Sequence, residues 1–182
     1  MKILLVYKTK TGFTKRYVDW IAEEIPCKKI NLQKIDTIEI DNYDIIIYGA
    51  GMHATKINGL KKFKKKVRNL SKQRIIVFAT GASPCTKKIV DIIKENNFTD
   101  KEKIDISFYY FNSGLNYEKM GFLDKTIMKT YSKILQLKRK KSKLEQGTNS
   151  AILTSYDYSK KEQIKPLTSY LRKIIAKRSK KL

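Results

Sequence analysis

The sequence is poor in the residues that build metal sites and disulfide frameworks. Its 182 residues include only two cysteines and one histidine. Cys27 and Cys85 are far apart and form no C-x-x-C pair, so nothing favours a zinc site or a disulfide framework. A single histidine also excludes a histidine-rich metal centre. The sequence therefore predicts a protein that binds no metal.

Long apolar runs are absent as well. No segment approaches the roughly 20 residues of a transmembrane helix. The N-terminus does not have the regions of a signal peptide, because Lys2 is followed by only five apolar residues before Lys8. The length suits one domain with a substantial core, over residues 1–182. These features predict a soluble cytoplasmic protein.

Acidic residues are scarce. The chain has 40 lysines and arginines but only 17 aspartates and glutamates, which gives a formal net charge of +23. A compositional bias toward lysine, isoleucine and asparagine accounts for part of this charge, but not for the shortage of acids. Such a field favours anionic partners, which include nucleic acid, anionic lipid, and an acidic protein or small molecule.

A strand, a turn and a helix open the chain. Ile3 to Tyr7 is a continuous apolar run, which predicts a strand buried on both faces, as in a parallel sheet. A hydroxyl-rich turn with one glycine follows, and then a helix with Val18, Ile21, Ala22 and Ile25 on one face. The first N–H groups of such a helix have no internal partner and point at the turn. This order predicts a site for an anion such as phosphate.

The turn resembles the phosphate loop of the flavodoxin family. It reads Thr9-Lys10-Thr11-Gly12-Phe13-Thr14, which is similar to the flavodoxin pattern T/S-x-T-G-x-T. It matches neither the Walker loop nor the dinucleotide-binding G-x-G-x-x-G. The resemblance implies that these six residues hold the phosphate of FMN, with Gly12 letting the backbone approach the ligand. The alternative is a hydroxyl-rich helix cap that binds nothing.

Strands and helices alternate along the rest of the chain. Apolar segments at 28–32, 43–48, 74–79 and 104–111 predict four further strands with helices between them. This pattern is typical of an α/β fold with a parallel sheet covered on both faces. The resemblance implies a flavodoxin-like three-layer sandwich, with five parallel strands in the order 2-1-3-4-5.

Turns of small residues follow the first, third and fourth of these strands. In such sheets ligands bind outside the carboxyl ends of the strands, so the three turns are expected to converge there. The resemblance implies that the isoalloxazine ring of FMN lies between the second and third turns. The residues on its two sides would be Gly49, Ala50, Gly51, Met52 and His53, and Thr80, Gly81, Ala82 and Ser83.

Two residues of the second turn have two interpretations each. His53 is either an acid–base group beside the flavin or its substrate, or an exposed loop histidine. Met52 either covers a face of the isoalloxazine or packs on the domain.

The third turn carries a helix-start signal and a cysteine. Ser83 predicts an N-cap, and Pro84 suits the first helical position. Cys85 would then lie in the first turn of the helix beside Lys87 and Lys88, and both features stabilise a thiolate. A redox thiol next to the flavin is one interpretation, which the lack of a partner cysteine disfavours.

A closer resemblance is to the branch of the family that includes the quinone-dependent protoporphyrinogen oxidase. It is carried by Tyr43 to His53 with the basic helix that follows, by Gly121 to Lys129, and by Tyr156-Asp157-Tyr158. Short flavodoxins are usually acidic, whereas this chain is basic, and a helical basic insertion at about 115–148 would follow the fifth strand. The resemblance implies oxidation of a substrate such as a porphyrinogen, with a quinone as electron acceptor.

Two features of the insertion have two interpretations each. Asp124 either contacts a substrate or pairs locally with Lys125 or Lys129. The cluster Lys138–Lys143 beside an amphipathic stretch is typical of a segment at the inner face of a membrane, and equally of a solvated loop.

These patterns leave three functions. The first is an FMN-dependent oxidoreductase, whose catalytic residues the sequence does not identify. The second is a non-enzymatic flavodoxin-type electron transport protein that docks an acidic electron-transfer protein. The third is a nucleic-acid-binding protein on the same scaffold, which the charge favours. Because no recognised nucleic-acid motif is present, we do not expect nucleic acid as the partner.

Overall fold

The computed structural model describes residues 1–53, 55–67, 72–119 and 154–179, together with Gly121, Lys125, Thr126 and Thr130. All but a few residues of the predicted insertion at about 115–148 lie outside this part of the chain. Asp124 and the cluster Lys138–Lys143 also lie outside it, so what the sequence predicts for them stays a prediction.

Strands alternate with helices along the described chain, as the sequence predicts. The elements are β1 (Ile3–Lys8), α1 (Phe13–Glu24), β2 (Lys28–Asn31), β3 (Ile45–His53), β4 (Lys56–Ile57), α2 (Leu60–Val67), β5 (Arg74–Gly81), α3 (Lys87–Asn97), α4 (Asp100–Asp105), β6 (Ser107–Asn112), β7 (Gly114–Leu115), β8 (Tyr156–Asp157) and α5 (Lys165–Ser179). Short 3-10 helices occupy Leu32–Thr37, Ile40–Asn42 and Lys161–Ile164.

Five of the strands form one parallel sheet in the order β2-β1-β3-β5-β6. The short strand β4 pairs antiparallel with the end of β3. Counted over the parallel strands alone, this is the predicted order 2-1-3-4-5. The predicted α/β, flavodoxin-like sandwich is therefore confirmed.

Helices cover both faces of the sheet, which explains the continuous apolar strands. Leu4 and Val6 of β1 belong to the core shared with α2 and α3. Ile3 and Leu5, which alternate with them, belong to the core shared with α1 and α5. Because side chains alternate along a strand, a strand buried on both faces needs apolar residues at every position. Both cores lie beneath the edge where the strands end.

Two predicted element boundaries were wrong. The strand predicted from Ile104 begins at Ser107, because Thr99 and Glu102 form a capping box that starts α4 and carries the chain to Asp105 as a helix. Ile104 is consequently 85% exposed. The turn predicted from Gly49 is also later, because β3 runs on to His53, where it pairs with β4.

The start of α3 was also predicted wrongly. The helix begins at Lys87, and Thr86 is its N-cap, with the Thr86 hydroxyl accepting a hydrogen bond from the N–H of Ile89. Ser83 and Cys85 therefore lie in the loop before the helix. A threonine directly before the first helical residue satisfies an N–H group that an earlier serine does not reach.

None of the described helices combines the length and apolar character needed to span a bilayer. Within the same residues, no three histidine, cysteine or carboxylate side chains are grouped so that they would hold a metal ion.

Candidate functional site

The three predicted turns meet at the carboxyl edge of the sheet. Lys8 of β1 lies beside Ala50 of β3, and Gly51 of β3 lies beside Thr80 of β5. The hydroxyl oxygens of Thr14 and Thr80 are 2.9 Å apart and hydrogen bonded, and both side chains are buried. A Cβ added to Gly51 would lie 3.6 Å from Thr14 Oγ1 and 3.8 Å from Thr80 Oγ1. The ends of three separate segments are thus in contact.

The loop after β1 presents an open helix start. Gly12 is the N-cap of α1 with φ +97°, a left-handed conformation that favours glycine, and no side chain caps the helix. The Gly12 carbonyl accepts the N–H of Arg16 at 3.1 Å. The N–H groups of Phe13, Thr14 and Lys15 therefore precede the first bond inside the helix. A Cβ on Gly12 would meet nothing within 4 Å, so there is open space beside the glycine that begins the helix.

The threonine hydroxyls shape this loop without capping the helix. Thr9 Oγ1 accepts the N–H of Gly12 at 3.1 Å, which leaves its own proton free to donate outward. When Thr80 donates to Thr14, the Thr14 proton is also available to an outside acceptor. Thr11 is half-buried and Lys10 is exposed. Because α1 has no side-chain cap, the alternative of a hydroxyl-rich helix cap is disfavoured.

The residues of β3 divide into two groups. A Cβ on Gly49 would lie 2.0 Å from the ring of Phe78, and Ala50 is fully buried. Gly49 is thus required for packing of the sheet, and both residues lie inside it. Gly51, Met52 and His53 reach the carboxyl edge, where His53 is exposed. Their assignment to a cofactor stays a prediction.

The end of β5 forms the other side of the site. Thr80 and Gly81 are the last residues of the strand, and Ala82 and Ser83 follow it. A Cβ on Gly81 would lie 2.7 Å from Met52 Cε and 2.8 Å from Tyr110 Oη. Met52 thus crosses from β3 to β5, and it is half-buried against the core.

Tyr110 holds the loop that follows β5. Its hydroxyl donates to the Ser83 carbonyl at 2.7 Å. Burial raises the pKa of Tyr110 well above its ordinary value, so this hydroxyl stays protonated and remains a donor. The position of Ala82 and Ser83 at the edge is therefore fixed by a side chain of β6.

Cys85 is exposed, and its sulfur lies 3.6 Å from the carbonyl oxygen of Tyr110. It precedes α3 instead of lying in the first turn of that helix. One of the two grounds for a stabilised thiolate, the helix start, is therefore removed.

An open cleft of about 460 Å³ adjoins this edge beyond β6. Its walls come from three segments that are distant in sequence: Cys85; Tyr110 and Asn112; Tyr158, Lys160, Gln163 and Pro166. The amide oxygen of Asn112 is buried and has no hydrogen-bond partner among the described residues. No sequence motif marks the cleft.

An ion pair joins the far side of the cleft to the loop after β1. The guanidinium of Arg16 donates to the carboxylate of Asp157 and also lies 5.8 Å from the centre of the Phe13 ring. Partial burial acts to raise the pKa of Asp157, but the Arg16 guanidinium and the N–H and hydroxyl of Ser159 outweigh it and hold the pKa below its ordinary value. The β7–β8 ribbon is thereby anchored to the first turns of α1.

Comparison with known proteins gives a family match over most of the chain. A family model described as a flavodoxin domain matches residues 4–143. An uncharacterized protein of Methanocaldococcus jannaschii is 31% identical over 91 residues, which are 49% of this chain and 60% of that protein. The match thus spans less than two thirds of that relative's length. These matches do not single out the protoporphyrinogen oxidase branch.

Several solved structures are similar at low identity. The Trp repressor binding protein from Bacillus subtilis is 18% identical, with 61% of this chain and 84% of that chain covered and a TM-score of 0.46. A flavoprotein in complex with FMN from Lactobacillus acidophilus is 18% identical, with 61% and 91% covered and a TM-score of 0.44. A flavodoxin from the domain Archaea is 18% identical, with 60% and 85% covered and a TM-score of 0.41.

Proposed function

This chain belongs to the flavodoxin domain family, and on that premise we propose that it is an FMN-binding redox protein. The observation that carries the proposal is the open start of α1. Gly12 in a left-handed conformation with open space beside it, a helix start without a side-chain cap, and threonine hydroxyls within the same loop occur together at the carboxyl edge of the sheet. Bound FMN would supply the electron-transfer chemistry, and the chain supplies binding and electrostatics.

The donor set fits a phosphate. The N–H groups of Phe13, Thr14 and Lys15 and the protons of Thr9 and Thr14 are of the kind that holds phosphate at a helix start. Each charge-assisted bond contributes about 1.5–3 kcal/mol. Several are needed, because the freedom lost on binding costs about 4–15 kcal/mol.

The ring of the flavin would lie between the ends of β3 and β5. On one side Gly51, Met52 and His53 reach the edge, and on the other Ala82 and Ser83 do so. The Tyr110 hydroxyl keeps the second of these loops in place. In this arrangement, backbone groups of the two loops adjust the redox potential of the flavin.

A second candidate is an enzyme that oxidises a substrate, as a protoporphyrinogen oxidase does, and passes the electrons to a quinone. The cleft beyond β6 favours it, since about 460 Å³ lies in the range of small-molecule sites, about 300–1,000 Å³. Exposed Lys160 in its wall suits a carboxylate such as those of a porphyrinogen. A carrier without a substrate needs no such cleft.

Visible absorbance of the purified protein tests FMN binding. The protein is measured before and after FMN is added and the excess removed, and we expect a retained flavin spectrum that denaturation identifies as FMN. Thr9→Ala should weaken retention, because it removes one of the hydroxyl donors, whereas Thr37→Ala, at an exposed threonine after β2, should leave it unchanged. Absence of flavin even after reconstitution would refute the proposal.

A turnover assay distinguishes the electron carrier from the substrate-oxidising enzyme. The FMN-loaded protein is supplied with protoporphyrinogen and a soluble quinone, and substrate-dependent reduction of the quinone supports the enzyme. Reduction of an electron-transfer protein without any turnover of porphyrinogen supports the carrier.

A further inference from the structure

Exposed lysines lie on segments that follow or line the candidate site and the adjoining cleft. Lys87 and Lys88 lie in the first turn of α3, Lys119 follows β7, and Lys160 lies in the wall of the cleft. We call these four residues the basic rim. All four are exposed, and within the described chain none of their ammonium groups forms a salt bridge or a hydrogen bond.

Four acidic residues lie near the rim lysines in sequence, and none of them pairs with a rim lysine within the described chain. Exposed Asp91 follows Lys87 by one turn of α3, and exposed Glu162 follows Lys160 by two residues. Asp157 is paired with Arg16, and Glu118 is exposed beside Lys119. The first turn of α3 contains no acidic residue. Because a helix start already carries partial positive charge, two lysines there destabilise the helix. The arrangement therefore does not serve the stability of α3, and it makes this edge strongly electropositive.

One aromatic side chain lies among these lysines. Tyr158 is 56% exposed, lines the cleft, and its ring centre lies 5.2 Å from that of Tyr156. Of the other large apolar side chains exposed in the described chain, Ile92 lies on α3, one turn after Lys88, whereas Met1 and Ile104 lie on segments without a rim lysine. Tyrosine surrounded by charged residues is typical of the anchor of a protein–protein interface.

We propose that the basic rim and Tyr158 form the docking face for an acidic electron-transfer protein. The inference rests on the proposed function, since Lys87 and Lys88 follow the loop after β5 that would form one side of the flavin site, and Tyr158 and Lys160 line the adjoining cleft. Carboxylates of the partner meet the lysines and accelerate encounter, while Tyr158 is buried at the centre. A membrane surface fits less well, because one exposed tyrosine offers little apolar area to insert. Single-stranded nucleic acid would need several aromatic platforms.

Binding of two probe proteins tests the face. The probes are a plant-type ferredoxin, which is acidic, and cytochrome c, which is basic. We expect ferredoxin to bind at low ionic strength and to be released as salt is added, and cytochrome c not to bind. The variant Lys87→Glu, Lys88→Glu, Lys160→Glu should weaken ferredoxin binding at least tenfold.

A charge-matched variant controls for net charge. The control replaces three exposed lysines of α4 and α5 and changes the net charge by the same amount: Lys101→Glu, Lys173→Glu, Lys177→Glu. Its affinity for ferredoxin should stay within about threefold of that of the wild type. Tyr158→Ala adds a second readout, since it should weaken binding without altering the salt dependence. Equal losses in the two triple variants would show that only net charge matters and would overturn the proposal.

Other outcomes show whether the docking face, FMN binding or the choice of partner is wrong. FMN content is measured on every sample. Retained FMN with wild-type ferredoxin binding in the rim variant overturns the docking face alone. Rim-dependent binding by a protein that takes no FMN overturns the proposed function and leaves a face for acidic proteins. Rim-dependent binding to phosphatidylserine vesicles or to a short DNA, but not to ferredoxin, overturns the choice of partner.

Discussion

The two edges of the parallel sheet use charge in opposite ways. At the amino edge, charges neutralise one another: Asp44 accepts the N–H of Lys2 at 2.7 Å and pairs with Arg178, and Glu24 pairs with Arg172 at 2.8 Å. At the carboxyl edge the basic rim is unpaired in the described chain, and the start of α1 is uncapped.

The difference separates folding from function. The pairs at the amino edge join the first and last segments of the chain, so they stabilise the closed fold. Uncapped N–H groups and unpaired lysines stabilise nothing within the described residues, and their electrostatic energy is available to an anionic ligand or partner. If this contrast is correct, substitutions at the carboxyl edge should change binding more than stability, and those at the amino edge should do the reverse.

The largest expected effect comes from filling the open space at the carboxyl edge. Gly12→Val places a branched side chain where the phosphate would lie, and it also strains a backbone with φ +97°. We expect FMN affinity to fall by a factor on the order of 100 or more, since two or three charge-assisted bonds are lost. Stability should fall by only about 1–2 kcal/mol, the cost of the left-handed conformation. Flavin fluorescence titration and urea unfolding measure the two effects.

Gly12→Asn is the matched control for backbone strain. Asparagine adopts the left-handed conformation with little strain but still fills the space. It should unfold like the wild type and yet bind FMN poorly. Recovery of FMN affinity in Gly12→Asn would show that strain, not occupation of the site, explains the effect of valine.

The next effect belongs to the amino edge. Asp44→Ala removes the acceptor for the Lys2 N–H and the partner of Arg178. We expect a loss of about 1–2 kcal/mol in unfolding free energy by urea titration, because the usual value of about 1.5–3 kcal/mol for hydrogen bonds to a charged group is reduced by solvent screening of the partly exposed Asp44–Arg178 pair. FMN affinity should not change. A loss of flavin together with normal stability would contradict the separation of the two edges.

The sequence predicts the fold of this chain better than its site. Apolar runs such as Ile45–Ile47 and the helices between them are local signals, and they led to the observed strand order. The loop around Gly12 could be singled out because its pattern is made of consecutive residues, and that it holds a phosphate stays a prediction. The end of β3 was missed because it depends on pairing with β4, which no residue of β3 reveals.

Contacts between segments that are distant in the chain could not be predicted from the sequence. Arg16 and Asp157 are 141 positions apart, and each is unremarkable in its own segment. The cleft likewise needs Cys85, Tyr110 and Tyr158 to be brought together by the fold. A motif identifies a site made by one loop, whereas a site made by three segments requires the tertiary structure.

The smallest expected effect concerns acid stability at the carboxyl edge. The pKa of Asp157 is held below its ordinary value, since the Arg16 guanidinium and Ser159 outweigh partial burial. Its contribution to stability is thus present above the unfolded pKa, about 3.9, and is lost as the pH falls through the folded value. Asp157→Asn should remove this contribution to the fall of the unfolding free energy at low pH. The change should stay below about 1 kcal/mol, because Arg16 and Asp157 are 46% and 40% exposed.

Urea unfolding between pH 2 and pH 7 measures this contribution, with Asp105→Asn as the control at an exposed aspartate of α4. Asp44, whose pKa is lowered by the Lys2 N–H and by Arg178, acts in the same direction at the other edge. The carboxylates at the two edges therefore have different partners, but both lose their contribution to the unfolding free energy as the pH falls. Asp157→Asn should reduce the pH dependence of the unfolding free energy less than Asp44→Asn does. If it reduced this dependence more, the carboxyl edge would contribute to folding at least as much as the amino edge, and the contrast between the edges would be wrong.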